Sequence, residues 1–236
     1  MKTIVITGAS SGIGWALMQA WIDRAHIVAL YHPNDSFPFT HPNLHKVPVD
    51  LSDAKANDEA LHTLPKVIDI FIANAGYARY EKNGFDHEAF RAMYQTNVWS
   101  VIAEYQWLKM HHPNAQFVVM LSAMAFWPLP GYAMYASTKA ALDGYFKAVH
   151  LEDDMAVLRV YPVAVNTAFF DTSKQPHQSW LIQDANDVAR KIIKAIQRGK
   201  KTLHTSALFK WTYRIIPQAL NFYIKREQIK FKENLL

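Results

Sequence analysis

The sequence predicts a single doubly wound α/β domain, in which helices cover both faces of a parallel β-sheet. Short apolar runs rich in β-branched residues recur along the 236 residues, and stretches of helical periodicity separate them. This alternation is typical of a parallel sheet, and the length suffices for one domain with a sizeable core. An eight-stranded β/α barrel is the structural alternative, but eight βα units would be crowded in this length.

Five runs have the character of strands that are buried on both faces of a sheet. In chain order they are Ile4–Ile6, Ile27–Leu30, Val67–Ala73, Phe117–Leu121 and Val157–Tyr161. Four further stretches have an apolar face at helical spacing. They are the stretch marked by Ile13, Leu17 and Trp21, the long stretch Asp86–Met110, Ala133–Val149, and one that begins around Asp187 and carries Val188, Ile192, Ile193 and Ile196.

Composition excludes several kinds of protein. Hydrophobic residues make up 50% of the chain and charged residues 19%, as in a globular protein. The absence of cysteine excludes disulfide scaffolds, thiolate metal sites and a cysteine nucleophile. The histidines show no metal-ligand spacing, so no metal site is predicted. The apolar run at Met1–Thr7 is too short for a signal peptide, no run suffices to span a membrane, and we expect a cytoplasmic protein.

The net charge of +5 is unevenly distributed. Residues 190–236 contain 12 Lys and Arg against 2 Asp and Glu, a net of +10, whereas residues 1–189 carry a net of −5. We therefore predict a main domain over residues 1–198 and a basic, aromatic-rich helical tail over residues 199–236. This tail is a candidate for three roles: docking on the domain, a subunit contact, or a peripheral contact with an anionic membrane. Because the positive charge lies outside the main domain, no nucleic-acid partner is predicted.

A glycine-rich turn follows the first predicted strand. The segment Thr7–Gly14 has glycines at positions 8, 12 and 14 and leads into a predicted helix. Glycines let the backbone approach a pyrophosphate, and a helix N-terminus offers N–H groups to an anion. Ser10 and Ser11 add hydroxyl donors. The position of the turn favours dinucleotide binding over an ordinary βα connection.

Two later groups support this interpretation. Asp50 ends the run Lys46–Asp50 and is placed to bind the edge of an adenine, and Asn74–Gly76 follows a buried strand, where an irregular turn would lie beside a dinucleotide. Each is equally compatible with a helix cap or a tight turn when taken alone.

Tyr135 and Lys139 are four residues apart in a predicted helix, so their side chains share a face. Ser122 stands thirteen residues before Tyr135, at the end of a predicted strand. A second Tyr-x-x-x-Lys pair begins at Tyr105, but the residue thirteen positions before it is Ala92, which has no hydroxyl. Only the first pair is therefore a candidate for chemistry.

These three side chains suit hydride transfer between a nicotinamide and a carbonyl. The reaction needs a proton at the developing alkoxide, and an unperturbed tyrosine is a poor base near neutral pH. An ammonium group about 4 Å away contributes up to roughly 4 kcal/mol at an effective dielectric constant near 20, before desolvation subtracts. We therefore expect Lys139 to lower the pKa of Tyr135, Tyr135 to act as general acid or base, and Ser122 to hold the carbonyl oxygen.

Taken in order, these motifs resemble the short-chain dehydrogenase/reductase family from Lys2 to about Arg198. The resemblance rests on Thr7–Gly14, Asp50, Asn74–Gly76, Asn97, Ser122, Tyr135, Lys139 and Pro162–Thr167. It implies a Rossmann-type sheet and an oxidoreductase that interconverts a carbonyl and a secondary alcohol. We also expect a homodimer or homotetramer.

The resemblance implies a catalytic set of Asn97, Ser122, Tyr135 and Lys139, in which Asn97 positions a water that links the lysine to solvent. It also implies that Thr167 binds the nicotinamide carboxamide. The residues expected to bind the dinucleotide are Gly8, Ser10, Ser11, Gly12, Ile13, Gly14, His32, Asp50, Leu51, Asn74, Ala75, Gly76, Tyr135, Lys139, Pro162, Val165 and Thr167.

The expected cofactor is NADP, with NAD as the alternative. A carboxylate at the end of the second strand would select NAD, and His32 stands there instead, with Asp35 three residues later. An imidazole beside a phosphate tends to become charged. Three segments depart from the family pattern: Val163 replaces a glycine, and the stretches Leu151–Ala156 and Ala168–Ile182 are short.

The expected substrate is a small, apolar carbonyl or alcohol compound. Ser122, Phe126 and Trp127 are predicted to contact it, because the loop after Ser122 should border the substrate. The alternative function is a cofactor-binding regulatory or scaffolding protein without turnover, and the complete catalytic set argues against it.

Overall fold

A parallel sheet of seven strands forms the centre of the computed structural model, which describes residues 1–81, 85–152, 154–167, 182–209, 211 and 228. The strands are β1 (Lys2–Thr7), β2 (Ala25–Tyr31), β3 (Leu44–Pro48), β4 (Ile70–Ala73), β5 (Gln116–Met120), β6 (Val157–Tyr161) and β7 (Thr202–His204). Their order across the sheet is β3-β2-β1-β4-β5-β6-β7. The order reverses between β1 and β4, and loops at such a point leave a crevice at the carboxyl ends of the strands.

Helices cover both faces of this sheet. In the part of the chain that the structure describes they are α1 (Gly12–Trp21), α2 (Ala54–His62), α3 (His87–Tyr94), α4 (Ser100–His111), α5 (Ala133–Glu152) and α6 (Ala185–Gln197). Alternate residues of a strand point to opposite faces. Ile4 and Ile6 of β1 therefore pack in the core beneath α1 and α6, whereas Val5 packs in the core beneath α2, α4 and α5.

The predicted doubly wound parallel sheet is confirmed, and the barrel alternative is excluded because the sheet is open. The five predicted strands and four helical stretches are present. Three elements were not predicted: β3, α2 and β7. β3 and β7 are edge strands whose residues are largely half-exposed, so they lack the continuous apolar run of a central strand. α2 is a short helix capped by the side chain of Asp53.

The long predicted helix Asp86–Met110 is interrupted. α3 and α4 are joined by a π-helical turn at Gln95–Trp99, which contains Asn97. A π-helical turn holds an extra residue and often occurs at functional sites. Helical periodicity alone does not reveal this turn.

Most of the basic tail lies outside the described residues, as does the segment 168–181. The predictions for most of the tail and for the short segment Ala168–Ile182, apart from Ile182, therefore concern residues that the structure does not describe. Where the tail is described, the prediction of a helix is wrong for Thr202–His204, because these residues pair with β6 as strand β7 of the sheet. No helix in the described ranges is long and apolar enough to cross a membrane.

Glu104 is a fully buried acidic residue of α4. Neither oxygen of its carboxyl group has a hydrogen-bond partner among the described residues, and burial raises the pKa of Glu104 well above its ordinary value. The folded state therefore binds this proton more tightly than the unfolded chain does. Consequently, the free energy of unfolding falls as the pH rises above the ordinary pKa of glutamate.

We expect Glu104→Gln to increase the free energy of unfolding, relative to the native chain, by on the order of 2 kcal/mol more at about pH 8 than at about pH 5. The amide does not titrate, so it avoids the cost of a buried charge. Denaturant unfolding at both pH values measures the effect. Glu59→Gln, at an exposed position of α2, is the control and should show no such dependence. A gain that is equal at both pH values would contradict the prediction.

Candidate active site

The glycine positions of the turn between β1 and α1 leave little or no room for a side chain. Gly8 and Gly12 have positive φ values of 65° and 56°, which favour glycine. A Cβ atom at Gly8 would lie 2.9 Å from the Cα of Ala75, and one at Gly14 would lie 2.2 Å from the carbonyl oxygen of Gly8. The backbone of the turn therefore packs directly against the loop after β4.

Asn74 and Thr7 hold this turn in place. The side-chain amide of Asn74 donates hydrogen bonds to the carbonyl oxygens of Thr7 and Gly8, at 3.0 and 3.1 Å. The hydroxyl oxygen of Thr7 accepts hydrogen bonds from the backbone N–H groups of Asn74 and Ala75, both at 3.0 Å. Asn74, predicted to bind the dinucleotide, thus uses its side chain to support the glycine turn.

The N-terminus of α1 has no side-chain cap, unlike those of α2, α3 and α6. Ser11 is the N-cap residue of α1, but its side chain makes no capping hydrogen bond, and the first turn contains no acidic residue. In contrast, α2, α3 and α6 are each capped by a carboxylate, from Asp53, Asp86 and Asp184. The start of α1 therefore offers its N–H groups and positive dipole end to an anion such as a phosphate.

His32 and Asp50 lie together beyond the ends of β2 and β3. The Nε2 atom of His32 is 3.7 Å from Oδ2 of Asp50. The other oxygen of Asp50 accepts hydrogen bonds from the N–H and hydroxyl groups of Ser52, at 2.8 and 2.7 Å. Partial burial opposes ionisation of Asp50, but the Ser52 hydrogen bonds and His32 outweigh it, so its pKa is lowered.

Some predicted dinucleotide-binding residues have apolar side chains that pack in the protein, among them Ile13, Leu51 and Val165. Leu51 and Val165 are buried in the two core clusters, and Ile13 packs against one of them. Any contact they make with a dinucleotide is therefore expected through the backbone.

Tyr135 and Lys139 lie on the buried face of α5, next to Ser122. Tyr135 is 6% exposed and its hydroxyl group is hydrogen-bonded to the Ser122 side chain. The ammonium nitrogen of Lys139 lies 5.8 Å from the centre of the Tyr135 ring and donates a hydrogen bond to the carbonyl oxygen of Met120 at 2.9 Å. The Ser122 hydroxyl oxygen accepts a hydrogen bond from the N–H of Met124 at 3.1 Å.

Burial dominates the ionisation of both residues. It raises the pKa of Tyr135 to about 12, although the Ser122 hydrogen bond opposes this, and it lowers the pKa of Lys139 to about 8. The expected lowering of the Tyr135 pKa by Lys139 is therefore not found in the structure. Tyr135 is a protonated phenol near neutral pH, which is the form that a general acid needs.

Asn97 joins this group through the π-helical turn. Its side chain accepts a hydrogen bond from the N–H of Tyr77 at 3.0 Å and donates to the carbonyl oxygen of Tyr77 at 2.9 Å and to the hydroxyl of Thr138 at 3.2 Å. A Cβ atom at Gly76 would lie 3.1 Å from Oδ1 of Asn97 and 3.6 Å from Nζ of Lys139. Asn97 and Lys139 therefore flank the same glycine.

The loop after β6 reaches the glycine turn. The carbonyl oxygen of Pro162 accepts a hydrogen bond from the N–H of Ala123 at 2.8 Å. A Cβ atom at Gly12 would lie 3.1 Å from the methyl carbon of Thr167. Thr167 is thus beside the start of α1, and its contact with the nicotinamide carboxamide stays a prediction.

Tyr135 packs in an apolar cluster that is separate from the two core clusters. The other buried members, which with Tyr135 form the Tyr135 cluster, are Ala78, Met93, Met124, Tyr132, Met134 and Ala136. These residues were not predicted from the sequence. Those adjacent to Ser122 and Tyr135 could have been found by proximity along the chain, whereas Ala78 and Met93 come from distant segments.

Phe126 and Trp127 do not belong to the Tyr135 cluster. The Phe126 ring lies 5.1 Å from the Tyr161 ring and 5.1 Å from the ammonium nitrogen of Lys147, and it packs against a core cluster. Trp127 is half-buried, and its backbone N–H donates a hydrogen bond to the carbonyl oxygen of Ala123 at 3.0 Å. Their contact with substrate stays a prediction.

Tyr105, from the second Tyr-x-x-x-Lys pair, is a core residue. Its side chain is fully buried, and its ring packs against those of Phe117 and Phe146 at 5.4 and 5.3 Å. This packing gives Tyr105 a role in the core of the domain.

The described residues fit a dinucleotide. One end of the crevice is lined by the three glycines of the turn, by the uncapped N-terminus of α1 and by Thr167. The hydroxyl groups of Tyr135 and Ser122 meet beside Lys139 and Asn97. This combination of fold and site defines a dinucleotide-dependent oxidoreductase of the Rossmann type.

Comparison with known proteins identifies the family. The model of the short chain dehydrogenase family matches residues 2–178. The chain therefore belongs to the short chain dehydrogenase family of oxidoreductases. An NADPH-dependent 3-dehydrocapnine reductase from Ornithobacterium rhinotracheale is 25% identical over 224 residues, which cover 85% of this chain and 78% of that protein.

Solved structures share the fold. A short-chain dehydrogenase from Sphingobium yanoikuyae in complex with NADPH superimposes with a TM-score of 0.77 at 17% identity and covers 95% of this chain and 96% of its own. A short-chain dehydrogenase/reductase from Burkholderia phymatum in complex with NAD has a TM-score of 0.78 at 19% identity, covering 94% and 95%. At this identity the two structures support the fold of the chain.

Proposed function

We propose that this chain interconverts a carbonyl and a secondary alcohol with NADP or NAD, and that Tyr135 is the general acid and base. The observation that carries this proposal is the hydrogen bond between the hydroxyl groups of Tyr135 and Ser122, beside Lys139. A hydroxyl pair in this arrangement suits the binding and protonation of one carbonyl oxygen.

In the direction of reduction, the Tyr135 hydroxyl gives its proton to the oxygen that becomes the alcohol. The Ser122 hydroxyl donates a hydrogen bond to the same oxygen and stabilises its developing negative charge. A nicotinamide held in the crevice would supply the hydride that the carbonyl carbon receives. In the opposite direction Tyr135 accepts the proton, which its raised pKa makes favourable once the anion has formed.

Lys139 and Asn97 support this proton transfer. An ammonium group near the phenol stabilises the phenolate that remains after the proton has left. Burial lowers the pKa of Lys139 to about 8, so its amine can also exchange a proton near neutral pH. The proposed role of Asn97 is to keep the adjoining backbone at Tyr77 and α5 in place and to position a water that links Lys139 to solvent.

The predicted cofactor preference is for NADP. It rests on His32, which stands where a carboxylate would select NAD. The related reductase is named as NADPH-dependent, whereas one of the two similar structures contains NAD, so relatives use both cofactors.

The proposed substrate is an apolar carbonyl or alcohol. The Tyr135 cluster supports this, because three methionines and Tyr132 pack in the same apolar cluster as Tyr135. Methionine side chains adapt to irregular apolar shapes. The fold itself does not select among acyl, steroid and other ketone substrates.

We further propose that residues 1–198 form the catalytic domain, which strand β7 of the adjoining segment extends, and that the chain forms a homodimer or homotetramer in the cytoplasm. Exposed apolar side chains at Trp99, Met110 and Leu151, near the ends of α4 and α5, support a subunit contact. The tail over residues 199–236 remains a candidate for docking, for a subunit contact or for peripheral membrane binding.

The central test is cofactor oxidation by the whole chain. With NADPH or NADH and a panel of acyl, steroid, sugar and aromatic ketones, we expect loss of cofactor absorbance with at least one apolar ketone. Binding of the cofactor without turnover of any ketone would contradict an enzyme and favour the regulatory alternative.

A further inference from the structure

The loop after β4 contacts the start of α5, the helix that carries Tyr135. The backbone N–H of Met134 donates a hydrogen bond to Oε1 of Glu81 at 2.6 Å. Met134 is the second residue of α5, and Tyr135 follows it directly. The backbone N–H of Glu81 also donates to the carbonyl oxygen of Gly131 at 2.8 Å. Glu81 therefore binds the chain on both sides of the point where α5 begins.

The carboxylate of Glu81 supplies a cap for the N-terminus of α5. The first N–H groups of a helix have no partner within the helix, and the positive end of the helix dipole favours a negative charge. The first turn of α5 contains no acidic residue of its own. Glu81 lies 53 positions before Met134 in the chain, so this cap comes from a distant segment.

The neighbouring residue, Tyr80, fixes the approach of Glu81 to α5. Gly131 has a positive φ of 80°, and a Cβ atom there would lie 2.3 Å from Cε2 of Tyr80. The Tyr80 ring therefore occupies space that glycine leaves open. The same ring lies 5.3 Å from that of Tyr132, which is buried. The loop that carries Glu81 is thus packed against the segment leading into α5.

The first turns of α5 are held at two points, one on each side of Tyr135. Glu81 accepts its hydrogen bond from the residue directly before Tyr135. Asn97 donates to the hydroxyl of Thr138, three residues after Tyr135, at 3.2 Å. The same Asn97 side chain accepts from the N–H of Tyr77, in the loop that carries Glu81. The two points of attachment are therefore connected through one loop.

We propose that Glu81 is a positioning residue for Tyr135, which holds the first turn of α5 so that the Tyr135 hydroxyl group stays beside Ser122. This inference rests on the proposed function of Tyr135 as general acid and base. Glu81 acts through the backbone of Met134 and not on the substrate. A reacting group displaced by about 1 Å costs roughly 10²-fold in rate, because proton transfer needs hydrogen-bond distance.

The test is the kinetics of carbonyl reduction by the whole chain at saturating cofactor, with a ketone that the native chain turns over. Glu81→Ala removes the acceptor for the N–H of Met134 and should lower kcat by about tenfold to hundredfold. The KM for the ketone and the dissociation constant of the cofactor should stay within about threefold of the native values. Glu81→Gln keeps an oxygen that accepts the same hydrogen bond, so its kcat should return to within about threefold of the native value.

Asp53→Ala is the matched control, because it also removes the carboxylate cap of a helix, in this case α2. Both alanine variants should unfold at a lower urea concentration than the native chain, but only Glu81→Ala should lose kcat. An equal loss of kcat in Asp53→Ala, a kcat for Glu81→Ala within about threefold of the native value, or an equal loss in Glu81→Gln overturns the positioning role.

Amide hydrogen exchange at Met134 separates this inference from the proposed function. Glu81→Ala should speed exchange of the Met134 N–H by at least about threefold, and Glu81→Gln should not. If the native chain turns over no ketone, the proposed function fails, and the exchange rate still tests the cap. Exchange at Met134 that is unchanged in Glu81→Ala overturns the inference, whatever the kinetics show.

Discussion

Tyr135→Phe is expected to lower kcat for carbonyl reduction by roughly 10²–10⁴-fold, to the limit of detection in an ordinary assay. The substitution removes only the hydroxyl group, which is hydrogen-bonded to Ser122 and is the proposed proton donor. The ring remains in the Tyr135 cluster, so the fold and the affinity for cofactor should stay nearly unchanged. Steady-state kinetics and cofactor fluorescence measure the two quantities separately.

Tyr105→Phe is the matched control for this variant. It changes the same residue type in the second Tyr-x-x-x-Lys pair, where the ring is buried between Phe117 and Phe146. We expect its kcat to stay within about threefold of the native value, since a surrounding core tolerates so small a change. A Tyr135→Phe variant that kept most of its rate would rule out the proposed proton transfer.

Gly14→Ala is expected to weaken cofactor binding by roughly 30- to 100-fold, which corresponds to about 2–3 kcal/mol. The new Cβ atom would lie 2.2 Å from the carbonyl oxygen of Gly8 and 2.7 Å from the side-chain nitrogen of Asn74. Backbone must move to relieve this contact, and the two hydrogen bonds by which Asn74 holds the turn would be disturbed. Overpacking of this kind also lowers the free energy of unfolding by about 1–3 kcal/mol.

Gly144→Ala provides the matched comparison. Gly144 lies within α5, and a Cβ atom there would meet nothing within 4 Å. We expect this variant to be more stable than the native chain by about 0.5–1 kcal/mol, because alanine favours a helix, with cofactor affinity unchanged. Equal cofactor affinity of the two variants in titrations at the same pH would show that the turn at Gly14 is not part of the binding site.

Much of the site could be predicted because its residues occupy local positions with distinctive chemistry. The glycine turn is specified by neighbours in sequence, and the spacing of Tyr135 and Lys139 puts both on one face of a helix. Ser122 was recognisable because it follows a run of apolar residues that forms a central strand. Such features depend on the local backbone, so they can be predicted without knowledge of the tertiary contacts.

Other parts of the site could not be predicted, since they depend on contacts between distant segments. The π-helical turn at Asn97 is stabilised through hydrogen bonds to Tyr77 and Thr138, which lie 20 and 41 positions away. The expected lowering of the Tyr135 pKa was not found, because burial raises this pKa and outweighs the opposing hydrogen bond from Ser122. Spacing places two groups on one face of a helix, but it does not give their solvent exposure.

The sequence by itself determined the alternating fold, the glycine turn and the Tyr-Lys pair, because each follows from local periodicity or from a short motif. Tertiary structure alone decided the edge strands β3 and β7, the packing around Tyr135 and the placing of Asp35 on Ser10. The contact between Asp35 and Ser10 joins residues that are 25 positions apart, and the ring of Phe37 anchors the loop that contains Asp35. Local sequence patterns determine which reactive side chains the protein contains. Burial and packing between distant segments determine where these side chains lie relative to a ligand.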